Sequence, residues 1–161
     1  PISTRHGTQV IQIIKIRNPR PSDKALALIG PRTRQMAQEL RTVLLKHDAP
    51  AGIHYDWMLE PPGTGLQRLW TCRVYWPVAQ WPTKGTWEVE VIAPHRRDFL
   101  DYQGPLTHGR GTVSRIESGL YTPLTWLDDR LELDLAFSCW SHHIHLEQID
   151  GARWHAAINN C

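Results

Sequence analysis

From residue 43 onward, apolar and polar positions alternate over short stretches. They fall at 43–47, 53–60, 69–75, 86–92, 112–117, 131–137, 143–149 and 153–158. A period of two is the mark of a strand with one buried face. Turn-forming residues separate the stretches: Pro61-Pro62-Gly63, Lys84-Gly85, His108-Gly109-Arg110-Gly111, Asp128-Asp129 and Asp150-Gly151. The last, an Asp-Gly pair between two alternating runs, is a strong hairpin signal. Seven or eight strands and few helices predict a mainly β fold, a small closed or nearly closed β-barrel, because closure removes exposed strand edges.

The first 42 residues follow another pattern. An apolar run at 10–16 leads into the Pro-rich joint Arg17-Asn18-Pro19-Arg20-Pro21-Ser22-Asp23. Ser22 or Asp23 can cap a short helix through Ile29. Gly30-Pro31 interrupts it, and helical spacing resumes from Thr33 to about Leu40, since a proline there forbids one straight helix. The expectation is therefore an N-terminal extension with one or two short helices over 1–42, followed by a β-barrel domain over 43–158.

Composition narrows the function. The 161 residues carry 18 Lys plus Arg against 16 Asp plus Glu, a net charge of +2. That excludes a histone-like basic binder and leaves room for a local basic patch. Three cysteines, Cys72, Cys139 and Cys161, stand far apart with no CxxC pair. This is neither a disulfide framework nor a cysteine zinc site, and it points to a reduced, intracellular setting. No apolar run approaches the ~20 residues that span a bilayer, so no membrane partner is expected. Nine histidines are unusual, and histidine is both the commonest metal ligand and the near-neutral acid/base.

Several of those histidines fall into a pattern. On a strand over 53–60, Ile53, Tyr55, Trp57 and Leu59 share one face while His54, Asp56, Met58 and Glu60 share the other. A hairpin from 43–47 into 53–60 brings His47 towards His54 and Asp56. A set of His, Asp and His suits Mn²⁺, Zn²⁺ or Fe²⁺, whereas Mg²⁺ prefers oxygen ligands alone.

Lys46-His47-Asp48, then His54-Tyr55-Asp56-Trp57-Met58-Leu59-Glu60, then His95 with Asp98, Leu100-Asp101-Tyr102-Gln103-Gly104, then Gly109-Arg110-Gly111-Thr112-Val113 recur in order. Together they resemble the 3′-phosphoesterase domain of bacterial DNA ligase D, most of all its shorter stand-alone members. Trp70 stands where that family has a strand tryptophan. The resemblance covers about 43–158 and leaves the N-terminal residues unmatched. It implies a small β-barrel whose interior face holds a divalent metal, typically Mn²⁺ with Zn²⁺ as the alternative. The implied activity removes a 3′-terminal ribonucleoside and a 3′-phosphate from a nucleic-acid end in DNA repair, alongside a ligase or polymerase partner. Carried over by position, His47, Asp56 and His95 are the metal ligands. His54 is the catalytic residue that contacts the phosphate or protonates the leaving oxygen, and Arg110, in the flanking glycine turn, is expected to act with it. Arg73, Arg97, His108 and Arg115, basic groups of this chain around the same site, are the expected substrate-binding residues.

Three departures bear on activity. The interval from His47 to His54 is one residue longer than in the family, Met58 replaces a phosphate-clamping arginine, and Phe99 replaces a tyrosine. A charge-assisted arginine–phosphate contact is among the stronger polar contacts. Its loss leads to a second expectation, a member that binds a phosphorylated ligand, a nucleic acid or a protein without hydrolysis. A metal enzyme for a small non-nucleic substrate would use the same ligands. Elsewhere, His143, His145 and Glu147 share a strand face and read as an ordinary surface or lumen strand. Trp57, Trp70, Trp87 and Trp154 read as core, while Trp76 and Trp81 fall in a Pro-containing loop.

Overall fold

A computed structural model describes residues 38–63 and 68–159. Of the helical segments expected at 22–29 and 33–40, all but 38–40 lie outside the described residues; those three are not helical, and Leu40 already belongs to a strand. Nine strands follow in order: β1 (Leu40–Ala49), β2 (Gly52–Leu59), β3 (Leu69–Val74), β4 (Thr86–His95), β5 (Gly104–Pro105), β6 (Thr112–Trp126), β7 (Arg130–Ala136), β8 (Ser141–Asp150) and β9 (Arg153–Asn159). All pairings are antiparallel, in the order β1-β2-β3-β4-β9-β8-β7-β6, and β6 returns to pair with β1. Eight strands thus close a barrel, and β5 adds a two-residue pairing on β6. One short helix, α1 (Trp81–Lys84), lies between β3 and β4.

Each of the eight sequence-predicted strands is present. The largest difference is β6, expected to end near Glu117 but running to Trp126. Gly119 allows it to continue: a Cβ there would stand 2.0 Å from the Ala136 carbonyl oxygen, so only glycine fits beside β7. A register shift between Pro123 and Thr125 accommodates the proline farther on. The Asp150-Gly151 turn joins β8 to β9, with Gly151 at φ 45°.

Alternation decides which residues fill the barrel. Leu44, Trp57, Leu59, Cys72, Val89, Leu133, Ile144 and Trp154 are among those that pack in its lumen. Trp57 Nε1 donates to Thr42 Oγ1 at 2.9 Å, and that hydroxyl donates to the Met58 carbonyl at 2.9 Å, so these two buried side chains satisfy each other and the strand. Trp81, expected in a loop, is fully buried and stacks on Trp87, because α1 folds it over the open end of the core. Trp76 stays exposed under the Lys84 ammonium.

A second apolar cluster lies on the opposite side of the wall. Val43, Leu45, Met58, Leu69 and Val113 point outward and are covered by Leu100, Phe99 and Leu106 from the 96–111 connection. That outer layer carries the candidate site.

Candidate metal centre

β1 and β2 form a hairpin in which His47 pairs directly with His54, and Leu45 with Asp56. Position parity sends all three polar side chains to the outer face, where Val43, Leu45 and Met58 also point. The expected interior location is therefore corrected: Trp57 and Leu44 take the lumen, and the neighbouring positions must face away from it. β3 places Arg73 opposite Asp56 on the same face.

His47 Nδ1 lies 3.1 Å from His54 Nε2, and His54 Nε2 lies 3.5 Å from Asp56 Oδ2. One ligand atom from each residue falls within 4.8 Å of the others, the one such group among the described residues. Two ligand atoms on a tetrahedral ion with ~2.0–2.1 Å bonds stand about 3.3 Å apart, so these separations suit a shared cation. The Asp56 side chain is 5% exposed, and its Oδ1 has no hydrogen-bond partner. The Arg73 guanidinium approaches that oxygen only to 3.6 Å, outside hydrogen-bond reach, so the buried carboxylate keeps an unfilled acceptor that a bound cation would complete.

The surroundings fix which nitrogens are available. His47 Nε2 is 2.7 Å from the Arg110 carbonyl oxygen, which can only accept, so the proton sits on Nε2 and Nδ1 is left to face His54 and Asp56. A metal-binding histidine is commonly held this way by a backbone carbonyl. Burial pushes the His54 imidazole below its ordinary pKa; the Asp56 carboxylate opposes this, and Arg73 and His47 reinforce it. A neutral ring is the form that ligates a metal.

His95 does not join this group. It ends β4, pairs with Leu69, and turns Nδ1 to the Ala93 carbonyl at 2.9 Å. Its ring packs edge-on against Phe99. It nevertheless lines the same cavity of about 110 Å³, together with His47, Asp56, Met58, Phe99 and Arg110. The geometry thus puts His54, not His95, with His47 and Asp56, and leaves His95 lining the cavity outside that group. The reason is local: His95 follows Pro94 at the far end of β4, where a carbonyl two residues back claims the ring.

The expected substrate-binding groups separate. Arg97 is held by Glu60 in a half-buried ion pair. Arg115 donates to the Leu100 carbonyl at 2.9 Å and supports the connection from below. Arg110 lines the cavity, though its guanidinium bonds to Thr107. His108 is exposed, at φ 59°, and lines none of the cavities beside the site. Arg73 stays with Asp56, 3.6 Å from Nε to Oδ1. Arg68 and Arg96, both outside the expected set, join His95 and Arg110 around an adjoining open cavity of about 340 Å³.

Two contributors act without side-chain chemistry. One is the Arg110 carbonyl, since any residue supplies a backbone oxygen. The other is Gly111 at φ 91°, where a Cβ would lie 1.9 Å from the Asp48 carbonyl oxygen. Only glycine lets this loop close onto β1 and bring that carbonyl to His47. On the far side of the barrel, His143 pairs with Asp134 at 3.0 Å, and His145 lies between Glu132 and Glu147, so these read as a polar outer strand. No described helix is long and apolar enough to cross a membrane. No protein-family model matches the chain, and no curated protein matches it in sequence.

Proposed function

We propose that this protein is a divalent-metal-dependent phosphoesterase acting on nucleic-acid 3′ ends. The observation that carries the reading is the Asp56 carboxylate, buried and without a hydrogen bond at Oδ1, set against two imidazoles at ligand spacing. His47 through Nδ1, His54 through Nε2 and Asp56 through Oδ2 would hold the ion; such a mixed set suits Mn²⁺ or Zn²⁺, and the resemblance favours Mn²⁺. Bound there, the ion supplies charge stabilisation at a phosphoryl oxygen.

The remaining residues divide the rest of the work. His95 is fixed by Ala93 with its proton on Nδ1, so Nε2 is free to exchange a proton within the cavity. Arg68, Arg96 and Arg110 give the adjoining cavity a positive lining suited to a phosphodiester backbone. DNA repair, a ligase or polymerase partner and an intracellular setting belong to the same proposal and rest on the resemblance.

One observation favours a second reading, a member that binds a phosphorylated ligand without hydrolysis. Met58 and Phe99 line the cavity where an arginine and a tyrosine are expected, so two polar contacts to a phosphate are missing there. One assay separates the two: Mn²⁺, a primer–template bearing a 3′-phosphate, wild type and His47→Ala. Release of phosphate by wild type and its loss in the variant support the enzyme. Binding without release supports the second reading.

A further inference from the structure

The geometry points to Arg73 as the anion-binding residue of this centre, taking a phosphoryl oxygen beside the metal ligands in place of the arginine that Met58 displaces. The inference rests on the metal reading above and adds to it the group that would select an anionic ligand.

Four arginines stand near enough to have been expected at the substrate. Arg97 is neutralised by Glu60, Arg115 is spent on the Leu100 carbonyl, and Arg110 on Thr107. Arg73 differs from all three. It makes no side-chain hydrogen bond: its Nε is buried without a partner, as is that of Arg115, but Arg115 is bonded through Nη2, whereas the approach of Arg73 to Asp56 stops at 3.6 Å, beyond a hydrogen bond for a guanidinium. About a third of its side chain stays exposed.

Charge makes the arrangement directional. Asp56 is the one carboxylate among the three proposed ligands. A divalent ion, that carboxylate and the Arg73 guanidinium together leave a net positive charge; Glu90, the cross-strand neighbour of Arg73, offsets part of it and an anionic ligand would offset the rest. A guanidinium next to a cation site also repels the cation. Its placement makes sense if its partner is the ligand's anion, with Asp56 shared between metal and arginine. A planar guanidinium suits phosphate because two N–H groups can meet two oxygens.

A purely structural role makes the opposite prediction for metal affinity, and that decides the test. Wild type, Arg73→Gln and Arg73→Lys are titrated calorimetrically with Mn²⁺, then, saturated with Mn²⁺, with inorganic phosphate and with oligonucleotides ending in a 3′-phosphate or a 3′-hydroxyl. We expect Arg73→Gln to keep or tighten Mn²⁺ binding while phosphate binding weakens by roughly tenfold or more, with partial recovery in Arg73→Lys. The 3′-phosphate oligonucleotide should lose affinity in parallel and the 3′-hydroxyl one should not. A loss for free phosphate alone also supports the Arg73 assignment, and names free phosphate as the source. Weakened Mn²⁺ binding in Arg73→Gln overturns the assignment, because Arg73 then serves to hold Asp56. So does unchanged phosphate affinity. Wild type that takes up no Mn²⁺ overturns the metal reading instead, a result visible before the Arg73 arms are compared.

Discussion

Asp56 Oδ1 has no hydrogen-bond partner, and Oδ2 stops 3.5 Å short of His54 Nε2. A ligand that binds only the folded protein stabilises it by about 2.7 kcal/mol at a hundredfold excess over its dissociation constant. Saturating Mn²⁺ should therefore raise the melting temperature by roughly 5–15 °C for a domain of this size. Asp56→Asn keeps the shape and removes the charge, so its melting temperature should be nearly insensitive to Mn²⁺. An equal shift in both proteins, read by differential scanning fluorimetry, would refute the ligand assignment. The three members of this group were legible in the sequence: parity puts His54 and Asp56 on one strand face, and the hairpin adds His47. The transfer by position preferred His95, because it follows motif order and carries no information on where a ring nitrogen points. The Ala93 carbonyl that engages His95 and the Arg110 carbonyl that engages His47 are backbone atoms, invisible in side-chain patterns.

At the scale of elements, the site depends on how the 96–111 connection is tied to the barrel wall. Glu60, just past β2, accepts from the Arg41 backbone N–H at 3.1 Å and pairs with Arg97, while Tyr121 reaches its carbonyl. Burial works against the Glu60 charge, but the Arg41 N–H and the Arg97 guanidinium outweigh it and hold the carboxyl below its ordinary pKa. A lowered folded-state value means the stabilisation is full above about pH 4.5, the unfolded value, and is lost as pH falls through the folded one. Glu60→Gln should thus cost about 1–3 kcal/mol at pH 7 in denaturant unfolding. The difference from wild type should shrink as pH falls below 4.5 and through the lowered folded-state value, and a constant gap across pH would show that the charge contributes nothing. Gly111 is the other tie. Gly111→Ala forces its Cβ against the Asp48 carbonyl, so the loop must lift and carry the Arg110 carbonyl off His47. Loss of such an orienting partner costs roughly ten- to a hundredfold in metal affinity, measurable by the same Mn²⁺ titration; unchanged affinity would remove Arg110 from the site. Strand existence was readable from alternation, but the length of β6 was not. Gly119 and Pro123 look like terminators locally, and only the close approach of β7 shows why the strand continues through them.

Across the whole molecule, one wall serves two purposes. β1 and β2 alternate between the lumen, filled by Leu44 and Trp57, and the outer layer, where Leu45 and Met58 support His47, His54 and Asp56. Leu44 and Leu45 are equally buried, at 1% and 0% exposure, so burial alone assigns them the same cost. Truncating a buried leucine to alanine costs about 2–5 kcal/mol, and Leu44→Ala and Leu45→Ala should both fall in that range in urea unfolding. Their effects on the site should part. Leu44→Ala opens space inside the barrel, behind the strand, and should leave Mn²⁺ affinity of the folded protein within about twofold of wild type. Leu45 pairs with Asp56 across the hairpin and lines the cavity itself, so Leu45→Ala should weaken Mn²⁺ by roughly tenfold. Equal losses of affinity would mean that lumen packing sets the ligand geometry. Divergence would mean that the outer layer sets it, and that the barrel can be repacked inside without altering its chemistry.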